Sequence, residues 1–467
     1  MGRHGGGPVS RAAARGGWLA YAAVAAALAI VALLAWSRAL AADGPVLYGE
    51  GAVAHAAILH RSLAEYRDPG GSVFVAANYP PLYFALGSLG DPFVTGRLVS
   101  VAATLAVATL VGWRARTGPR AVAVTLAFGW LALAPVAIWG AAMKPDLVAL
   151  ACTVAAVVLL EARRPTVAAP LLVAAALAKP TALVPFGALL VWALLRDRRL
   201  ALRFAIAGSA AAAVALLLLL PFGYADLWRH VVTWNALAWS PEQALLLVLV
   251  GLVTYGAALG GGVLARGFAG PLGAYAAAGL VIVLLGGREG GTINYLLDLS
   301  AACFLALASV ASRLARSPLY PVAAIANAVV ATLVLNPLGL LPDRAATTGA
   351  WGRVERIDAV RAALASDDAI LAEDSALLVA TGHRVVVDDL FLWSRLAARG
   401  VIDPAPLVAD VRAGRFGAVL SEVELERIGD APAFERSRWE PELLGAIVAR
   451  YRLERRLPGD LYLYRPR

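Results

Sequence analysis

The sequence predicts a multi-pass α-helical membrane protein that carries a small α/β domain at its C-terminal end. Of its 467 residues, 60% are hydrophobic and 16% are charged, against about 45–50% and about 25% in soluble domains. The charges are also unevenly spread, because residues 1–342 hold 12 acidic and 23 basic side chains, whereas residues 343–467 hold 20 and 18. We therefore predict a transmembrane module over 1–342 and a water-exposed domain over 343–467.

Apolar stretches in the first 342 residues predict about eleven membrane-spanning helices, because a helix needs about 20 residues to cross the hydrocarbon. The predicted spans cover residues 18–40, 93–113, 121–142, 147–162, 166–178, 181–195, 200–222, 244–264, 268–286, 293–311 and 319–341. The fifth and sixth are short and meet at Lys179-Pro180. This pattern also suits a hairpin that enters the membrane without crossing it.

The charges between the spans predict the orientation, because Lys and Arg favour cytoplasmic loops. With a cytoplasmic N-terminus, 15 of the 23 basic residues face the cytoplasm and ten of the 12 acidic residues face outward. An odd number of spans then places the C-terminal domain outside the cytoplasm. The formal charge of +9 is thus a topology signal. Nucleic-acid binding is not indicated, since it would gather the basic residues on one polar face.

The outer segments and the C-terminal domain also have predictable elements. In the first outer loop, 41–92, we predict an interfacial helix over 50–65 and a short helix that opens at Pro80-Pro81. In the C-terminal domain, the patterns predict helices at Val354–Ala365, Leu390–Arg399, Pro406–Ala413 and Pro441–Tyr451, and strands at Ala369–Ala372, Arg384–Val387, Phe416–Ser421 and Leu461–Tyr464. Since no glycine-rich loop follows a strand, a nucleotide site is not indicated.

Two acidic residues at the outer rim of the membrane are candidates for catalysis. Glu50 follows the first span between two glycines, and Asp146 lies in the turn Lys144-Pro145-Asp146. Carboxylates on separate loops can converge on one cavity, where one acts as a general base and the other positions a ligand or binds a metal. The alternative is structural, with each residue capping the helix that follows it.

Basic and aromatic residues at the same level suit a lipid phosphate. Lys144 and Lys179, the two lysines of the chain, and Arg288 lie near the predicted outer face. Cations at this depth bind phosphate, although long side chains also snorkel from helix ends. Tyr79 and Tyr83 frame a Pro-Pro-Leu segment, which suits either a binding site or an aromatic belt.

Histidine and cysteine give weaker signals. His230 and His55 are possible metal ligands, although a lone histidine is also commonly a hydrogen-bonded rim residue. Cys152 and Cys303 both lie in apolar runs, so neither a disulfide framework nor a metal cluster is indicated.

The order of short motifs resembles that of a known superfamily. In chain order these motifs are Tyr48-Gly49-Glu50, Tyr79-Pro80-Pro81-Leu82-Tyr83, Lys144-Pro145-Asp146, Ala178-Lys179-Pro180 and Asn294-Tyr295-Leu296-Leu297. The set resembles the GT-C superfamily of integral membrane glycosyltransferases, near the aminoarabinose transferase and protein O-mannosyltransferase branch. It is especially similar to bacterial members with no assigned acceptor. The resemblance covers the whole membrane portion.

The resemblance implies an inverting enzyme of the bacterial cytoplasmic membrane. It would transfer a sugar from a polyprenyl-phosphate donor to a glycan, lipid or protein acceptor on the outer face. Glu50 matches the catalytic carboxylate, with Gly49 where many members have a second acid, and Asp146 matches the acid of the second outer loop. Lys179, Arg288 and Tyr295 match residues that the resemblance associates with the donor and its lipid phosphate. Lys144, Tyr79 and Tyr83 are further residues that we expect to bind the donor, although Asn78-Tyr79 stands where the aminoarabinose branch has Glu-Lys. A divalent metal is a possible cofactor, with Glu50, Asp146 and His230 as possible ligands.

Two other functions fit the same spans. A flippase or transporter of lipid-linked sugars would need charged residues along a path through the membrane, whereas here they collect at the outer rim. A non-catalytic binding protein derived from this fold would keep both the spans and the rim carboxylates. A cavity that joins Glu50, Asp146 and Lys179 would favour the enzyme.

Overall fold

The computed structural model describes residues 8–336, 352–364 and 369–467. Its helical part consists of α1 (Pro8–Ala41), α2 (Glu50–His60), α3 (Leu82–Gly87), α4 (Pro92–Arg114), α5 (Arg120–Leu131), α6 (Ala134–Trp139), α7 (Asp146–Glu161), α8 (Pro165–Ala178), α9 (Leu183–Arg196), α10 (Arg198–Leu219), α11 (Tyr224–Trp228), α12 (Pro241–Leu264), α13 (Pro271–Leu285), α14 (Leu297–Ser309), α15 (Ala311–Leu314) and α16 (Leu319–Leu335). Each predicted span coincides with one or two of these helices. The end of the last span, 337–341, lies outside the described residues.

Length and composition separate these helices into two groups. Four are long and apolar enough to cross a membrane, namely Ala12–Ala41, Pro92–Thr117, Arg198–Phe222 and Pro241–Leu264. Six shorter apolar helices accompany them, at Arg120–Leu131, Pro165–Ala178, Pro180–Arg196, Pro271–Leu285, Ile293–Ser309 and Leu319–Leu335. The helical membrane character is therefore confirmed, and the number of about eleven crossings stays a prediction.

The helix ends follow ordinary capping chemistry. Asp91 accepts a hydrogen bond from the Val94 amide at the start of α4, and Ser240 accepts one from the Gln243 amide at the start of α12. In both helices the cap is followed by proline, whose fixed φ suits the first helical position. Asp197 caps α10 in the same way, through the amides of Arg199 and Leu200.

The core of the helical part surrounds α14. Every residue of α14 except Asp298 and Ser309 is buried, as expected for a helix that is apolar on all sides. At the periphery, α10 exposes large apolar side chains such as Leu202, Ile206 and Leu217. Apolar surface of this extent suits contact with lipid.

Helix α2 is shorter than the predicted interfacial helix and is largely covered by protein. Its residues Glu50–Ala54, Ala56 and Ala57 are buried. At Gly51, an added Cβ atom would lie 2.3 Å from the backbone nitrogen of Ala376, in the C-terminal domain. Glycine at this position therefore allows the C-terminal domain to approach the helix closely.

The C-terminal domain contains a four-stranded mixed sheet, six α-helices and a 3-10 helix (Leu425–Asp430) among its described residues. The strands are β1 (Ile370–Ala372), β2 (Ala418–Ser421), β3 (Tyr451–Leu457) and β4 (Leu461–Pro466), and the helices are α17 (Gly352–Ala363), α18 (Ser375–Thr381), α19 (Leu390–Ala398), α20 (Ala405–Arg412), α21 (Ala433–Arg436) and α22 (Pro441–Arg450). The strand order is β1-β2-β4-β3, and β1 and β2 pair in parallel while the other pairs are antiparallel.

Two predictions for this domain need correction. The predicted strand Arg384–Val387 does not join the sheet, because Val387 forms a parallel bridge with Phe74 of the first outer loop instead. The predicted helix Pro441–Tyr451 ends at Arg450, and Tyr451 begins β3, which pairs along β4 and was not predicted. The predicted domain boundary between 342 and 343, and the predicted helix end at Ala365, lie outside the described residues.

Polar contacts tie the C-terminal domain to the outer loops. The Asp388 carboxylate accepts a hydrogen bond of 2.7 Å from the Ala76 amide and lies 3.1 Å from His55 Nδ1. Arg395 donates to both carboxylate oxygens of Glu289, at 3.1 and 2.5 Å. These contacts hold the start of α19 against residues 55–76 and Glu289 of the helical part.

Candidate active site

A cavity of about 280 Å³ lies between the helical part and the C-terminal domain. Six of the residues singled out in the sequence line it, namely Tyr79, Lys144, Asp146, Lys179, Arg288 and Tyr295. They come from the first outer loop, the turn before α7, the α8–α9 junction and the segment before α14. The structure therefore brings together residues that lie more than 200 positions apart in the sequence.

Asp146 and Lys179 form the central ion pair of this cavity. Lys179 Nζ donates to Asp146 Oδ1 at 2.6 Å, and Asn294 Nδ2 donates to the same oxygen at 2.7 Å. Asp146 Oδ2 is buried and has no hydrogen-bond partner in the part of the chain that the structure describes. Such atoms are rare in folded proteins and are explained by strain, by a catalytic role or by a bound molecule.

The backbone at Asp146 suits a negative charge. Asp146 is the first residue of α7 and lies in its first turn, where the helix dipole stabilises a carboxylate. The preceding proline fixes φ at the entry to the helix. The local sequence therefore places Asp146 at the N-terminus of a largely buried helix, where its side chain lines the cavity.

Lys144 reaches the cavity beside a glycine that permits its approach. Its Nζ atom donates a hydrogen bond of 2.7 Å to the carbonyl oxygen of Gly49. Gly49 has a φ of 77°, and an added Cβ atom would lie 2.9 Å from Lys144 Nζ. Burial lowers the pKa of Lys144, and the carboxylates of Glu50, Asp389 and Asp146 limit that shift.

Tyr295 lies between two of the cations. The distance from its ring centroid is 4.8 Å to Lys179 Nζ and 5.8 Å to the guanidinium carbon of Arg288. Arg288 is held by a hydrogen bond of 2.8 Å to the carbonyl oxygen of Asn235. Ring and guanidinium thus fix one another through cation–π attraction. The ammonium groups of Lys144 and Lys179 and the guanidinium of Arg288 are groups of the kind that bind phosphate.

The structure does not bring Glu50 to this cavity. The Glu50 side chain is fully buried and accepts hydrogen bonds from Arg97 Nη2 at 2.9 Å, the Val46 amide at 2.8 Å and the Met143 amide at 2.7 Å. Burial works against its charged form, but the Arg97 guanidinium and the two amides hold the pKa of Glu50 below its ordinary value. The capping role considered for Glu50 is also absent, since these partners belong to other segments.

Arg97, the partner of Glu50, was not singled out by sequence reasoning. Besides Glu50, its guanidinium donates to the carbonyl oxygens of Ala39 and Ala42, both at 2.8 Å, and of Gly44. The signal was present, because an arginine inside an apolar span requires a buried partner. The Glu50–Arg97 pair connects the end of α1, the start of α2 and the turn before α7.

Tyr83 also lies away from the cavity. Its hydroxyl donates to the carbonyl oxygen of Gly96 at 2.8 Å and contacts Ser100 Oγ at 2.9 Å. The side chain is fully buried where α3 packs on α4. The expected contact of Tyr83 with a donor is therefore not supported by its position, whereas Tyr79 of the same motif lines the cavity.

The three possible metal ligands do not converge. Asp146 lines the cavity, Glu50 is held by Arg97, and His230 lines a different cavity. Within the described ranges, no group of three or more His, Cys, Asp or Glu side chains is positioned to hold a metal ion. The residues present do not fit the predicted metal set, and metal dependence itself stays an untested prediction.

Sequence reasoning missed two further carboxylates of the cavity, Glu289 before α14 and Asp389 in the C-terminal domain. Asp389 lines the cavity and caps α19 by accepting a hydrogen bond of 3.0 Å from the Leu392 amide. Burial, with a contribution from neighbouring Asp388, raises the pKa of Asp389 to about 6. The available signal was the pair Asp388-Asp389 after an apolar run. Nothing in the sequence, however, indicated that Asp389 and Lys144 line the same cavity.

Comparison with solved structures identifies the fold. The chain is similar to the crystal structure of apo ArnT from Cupriavidus metallidurans, with a TM-score of 0.61 and 13% identity. It is also similar to that of ArnT from the same organism bound to undecaprenyl phosphate, with a TM-score of 0.59 and 11% identity. Each comparison covers 94% of this chain and 97% of the other. No protein-family model and no curated protein matches the sequence. The expected GT-C-type fold is confirmed.

Proposed function

We propose that this chain transfers a sugar from a polyprenyl-phosphate donor to an acceptor at the outer face of the membrane. The observation that carries the proposal is the joining of Lys144, Lys179 and Arg288 with three carboxylates in one cavity. One of the similar structures holds undecaprenyl phosphate, which supports the same class of lipid as the donor carrier here. The proposed acceptor is a glycan, a lipid or a protein.

The cations would act on the leaving group. When the bond between sugar C1 and phosphate oxygen breaks, a phosphodiester becomes a phosphomonoester and gains negative charge. Positive groups that are already in place stabilise that charge without reorganisation. Lys144, Lys179 and Arg288 are suited to this task, and Tyr79 and Tyr295 complete the wall around them.

A carboxylate would accept the proton of the attacking hydroxyl. In an inverting displacement, the acceptor oxygen bonds to C1 on the face opposite the phosphate while the hydroxyl proton passes to the base. Asp146 is the best-suited base, because its Oδ2 atom has no partner among the described residues. Asp389 is another carboxylate of the cavity, and its pKa of about 6 is close to the value that suits a base near neutral pH.

Glu50 is better suited to positioning than to proton transfer. Both of its oxygens are occupied, one by the Met143 amide and the other by Arg97 and the Val46 amide. Met143 lies three residues before Asp146, so the Glu50 carboxylate fixes the turn from which Asp146 projects. The Glu50 carboxylate would therefore act on catalysis through the placement of Lys144 and Asp146.

The proposed setting is a bacterial cytoplasmic membrane, with the N-terminus inside and the C-terminal domain outside. The cavity would then face the outer aqueous phase while the polyprenyl chain stays in the bilayer. A cysteine introduced by Arg427→Cys, on an exposed part of the C-terminal domain, tests the orientation. We expect a membrane-impermeant thiol reagent to label it in intact cells. Labelling that requires lysis would contradict the orientation.

Sugar transfer is tested with the purified chain in lipid nanodiscs. The probes are undecaprenyl phosphates that carry labelled pentoses or hexoses, with bacterial envelope extract as the source of acceptors. We expect wild type to release undecaprenyl phosphate and label an acceptor, and Lys179→Met to slow this about 100-fold. Arg427→Met serves as the exposed control. Equal rates in wild type and Lys179→Met would contradict the proposal, and so would movement of intact donor between leaflets without cleavage.

A further inference from the structure

A second cavity of about 320 Å³ lies beside the first. Three segments line it: 67–75 of the first outer loop, 229–234 of the second, and 393–407 of the C-terminal domain. Trp234 and Trp393 line this second cavity, whereas their chain neighbours Asn235 and Leu392 line the first. The two cavities therefore share a wall.

The second cavity offers hydrogen-bond donors and acceptors in balance. Arg67 and Arg229 supply guanidinium groups, and Asp68 and Asp403 supply carboxylates. The Arg67 side chain is exposed and makes no hydrogen bond or ion pair within the described residues. One oxygen of Asp68 accepts a hydrogen bond of 2.9 Å from the Gly70 amide, and one oxygen of Asp403 accepts a hydrogen bond of 2.9 Å from the Ala405 amide.

His230 is buried in the wall of this cavity without a polar partner. The residue is 1% exposed, and neither of its ring nitrogens is hydrogen-bonded in the part of the chain that the structure describes. Its ring lies 4.1 Å from the Trp234 ring, centroid to centroid. Burial, with the charge of Arg229, lowers the pKa of His230 to about 3. The imidazole is therefore neutral at pH 7, with one donor nitrogen and one acceptor nitrogen.

The backbone around His230 is unusual as well. Residues Arg229–Thr233 form a turn of π-helix, a conformation that is rare and is frequent at functional sites. The wider turn brings His230 and Trp234 onto the same side, against the loop that carries Phe74. An unpartnered imidazole, paired charges and aromatic rings thus meet at one cavity.

We propose that this second cavity binds a saccharide, as a part of the acceptor that lies away from the reacting hydroxyl. Each sugar hydroxyl both donates and accepts a hydrogen bond, which matches guanidinium, carboxylate and neutral imidazole groups set side by side. The rings of Trp234, Trp393 and Phe74 supply the apolar part of the wall. A strongly anionic ligand would meet Asp68 and Asp403, and an apolar one would bury four charged groups. As an acceptor site, the assignment rests on the proposed sugar transfer.

Direct binding tests the cavity independently of catalysis. The purified full chain in nanodiscs is applied to an array of neutral and uronic-acid-containing oligosaccharides. We expect wild type to bind at least one neutral member, and Arg67→Ala and Asp403→Asn each to weaken that binding at least 10-fold. Arg67 has no partner to lose, and asparagine at 403 can still accept the Ala405 hydrogen bond. Arg427→Ala, on an exposed surface elsewhere in the domain, is expected to bind as wild type does.

Binding of no oligosaccharide by wild type would overturn the inference, as would equal affinity in Arg67→Ala and wild type. Binding of uronic-acid members alone would also overturn it, in favour of an anion site. Sugar transfer from donor to acceptor, measured beside binding, separates this failure from failure of the proposed function. We expect Arg67→Ala to show a raised KM for the acceptor, whereas Arg427→Ala transfers sugar as wild type does. If wild type binds a saccharide but transfers no sugar, the proposed function is wrong, whereas the saccharide site is supported.

Discussion

The two acidic residues that the sequence singles out, Glu50 and Asp146, form two ion pairs of very different character. Glu50 pairs with Arg97 at 2.9 Å and has both oxygens occupied, without reaching the cavity. Asp146 pairs with Lys179 at 2.6 Å, lines the cavity and keeps one oxygen without a partner among the described residues. Both carboxylates therefore belong to buried ion pairs. The oxygen that Asp146 keeps without a partner is what suits Asp146, and not Glu50, to catalysis.

The difference follows from what surrounds each pair. Arg97 donates to carbonyl oxygens at the end of α1, and Glu50 accepts from the turn before α7. The Glu50–Arg97 pair therefore connects backbone segments. Lys179 instead lies between Asp146 and the Tyr295 ring, with side chains that border open space. We expect loss of the first pair to affect folding and loss of the second to affect the rate of sugar transfer.

The largest effect is expected for Asp146→Asn. Removal of a general base lowers a rate by about 10²–10⁴-fold, and the asparagine keeps the shape of the side chain. We expect the rate of sugar transfer to fall at least 100-fold per folded molecule, and the thermal midpoint also to fall, because Lys179 loses the carboxylate of its buried ion pair. The measurement is a single-turnover rate with labelled donor. Asp226→Asn, in an outer-loop ion pair that does not line the cavity, is the matched control, and an equal fall in that variant would show that the effect is not local.

Glu50→Gln is expected to destabilise the fold. It leaves Arg97 as a buried charge without its carboxylate, and breaking a buried pair from one side costs about 3–5 kcal/mol. We expect a clear fall in the thermal midpoint of the protein in nanodiscs. The double variant Glu50→Gln with Arg97→Met removes both charges and is expected to recover part of that loss. If the single variant melts as wild type does, Glu50 has no structural role of this kind.

Sequence identified the fold class and most of the cavity, because both depend on patterns that are local or ordered along the chain. The apolar spans and the Lys-Pro-Asp and Ala-Lys-Pro motifs led to Asp146, Lys144 and Lys179. Sequence did not separate Glu50 from Asp146, since both are acids after a turn near the outer face. Their difference lies in Arg97 and the backbone amides, which are brought near Glu50 only by the packing of α1, α4 and α7.

Gly49→Ala is expected to have a smaller effect. Alanine at a φ of 77° costs about 1–2 kcal/mol, and its Cβ atom would lie 2.9 Å from Lys144 Nζ. We expect a modest loss of stability together with weaker donor binding, as Lys144 moves aside. Titration with undecaprenyl phosphate measures the second effect. Gly187→Ala, where an added Cβ meets nothing within 4 Å, is the control, and equal donor affinity in both variants would exclude a role for this contact.

The effect of Asp389 on stability is expected to depend on pH. Its pKa is raised from 3.8 to about 6 in the folded chain, so the protonated form is favoured by folding. That stabilisation is present below pH 4 and is lost as the pH rises through 6. Asp389→Asn removes the ionisation and can keep the cap of α19. We expect its thermal midpoint relative to wild type to rise by a few degrees between pH 4 and pH 7. A constant difference would contradict the raised pKa.

The contribution of the C-terminal domain could not be read from its sequence. The strand-like run Arg384–Val387 was expected in the sheet, yet Val387 pairs with Phe74 of the first outer loop. Short apolar runs fit any free strand edge, and the partner is chosen by tertiary contacts such as Asp388 with Ala76 and His55. The pairing of Val387 with Phe74, in place of a strand of the sheet, brings Asp389 to the cavity.

The contrast between the two ion pairs is tested most directly by transfer rates per folded molecule. Glu50→Gln and Asp146→Asn are measured well below their thermal midpoints, with the folded fraction determined in each sample. We predict that folded Glu50→Gln retains at least a tenth of the wild-type rate, whereas folded Asp146→Asn retains less than a hundredth. The opposite order would contradict the assignment of chemistry to Asp146 and architecture to Glu50.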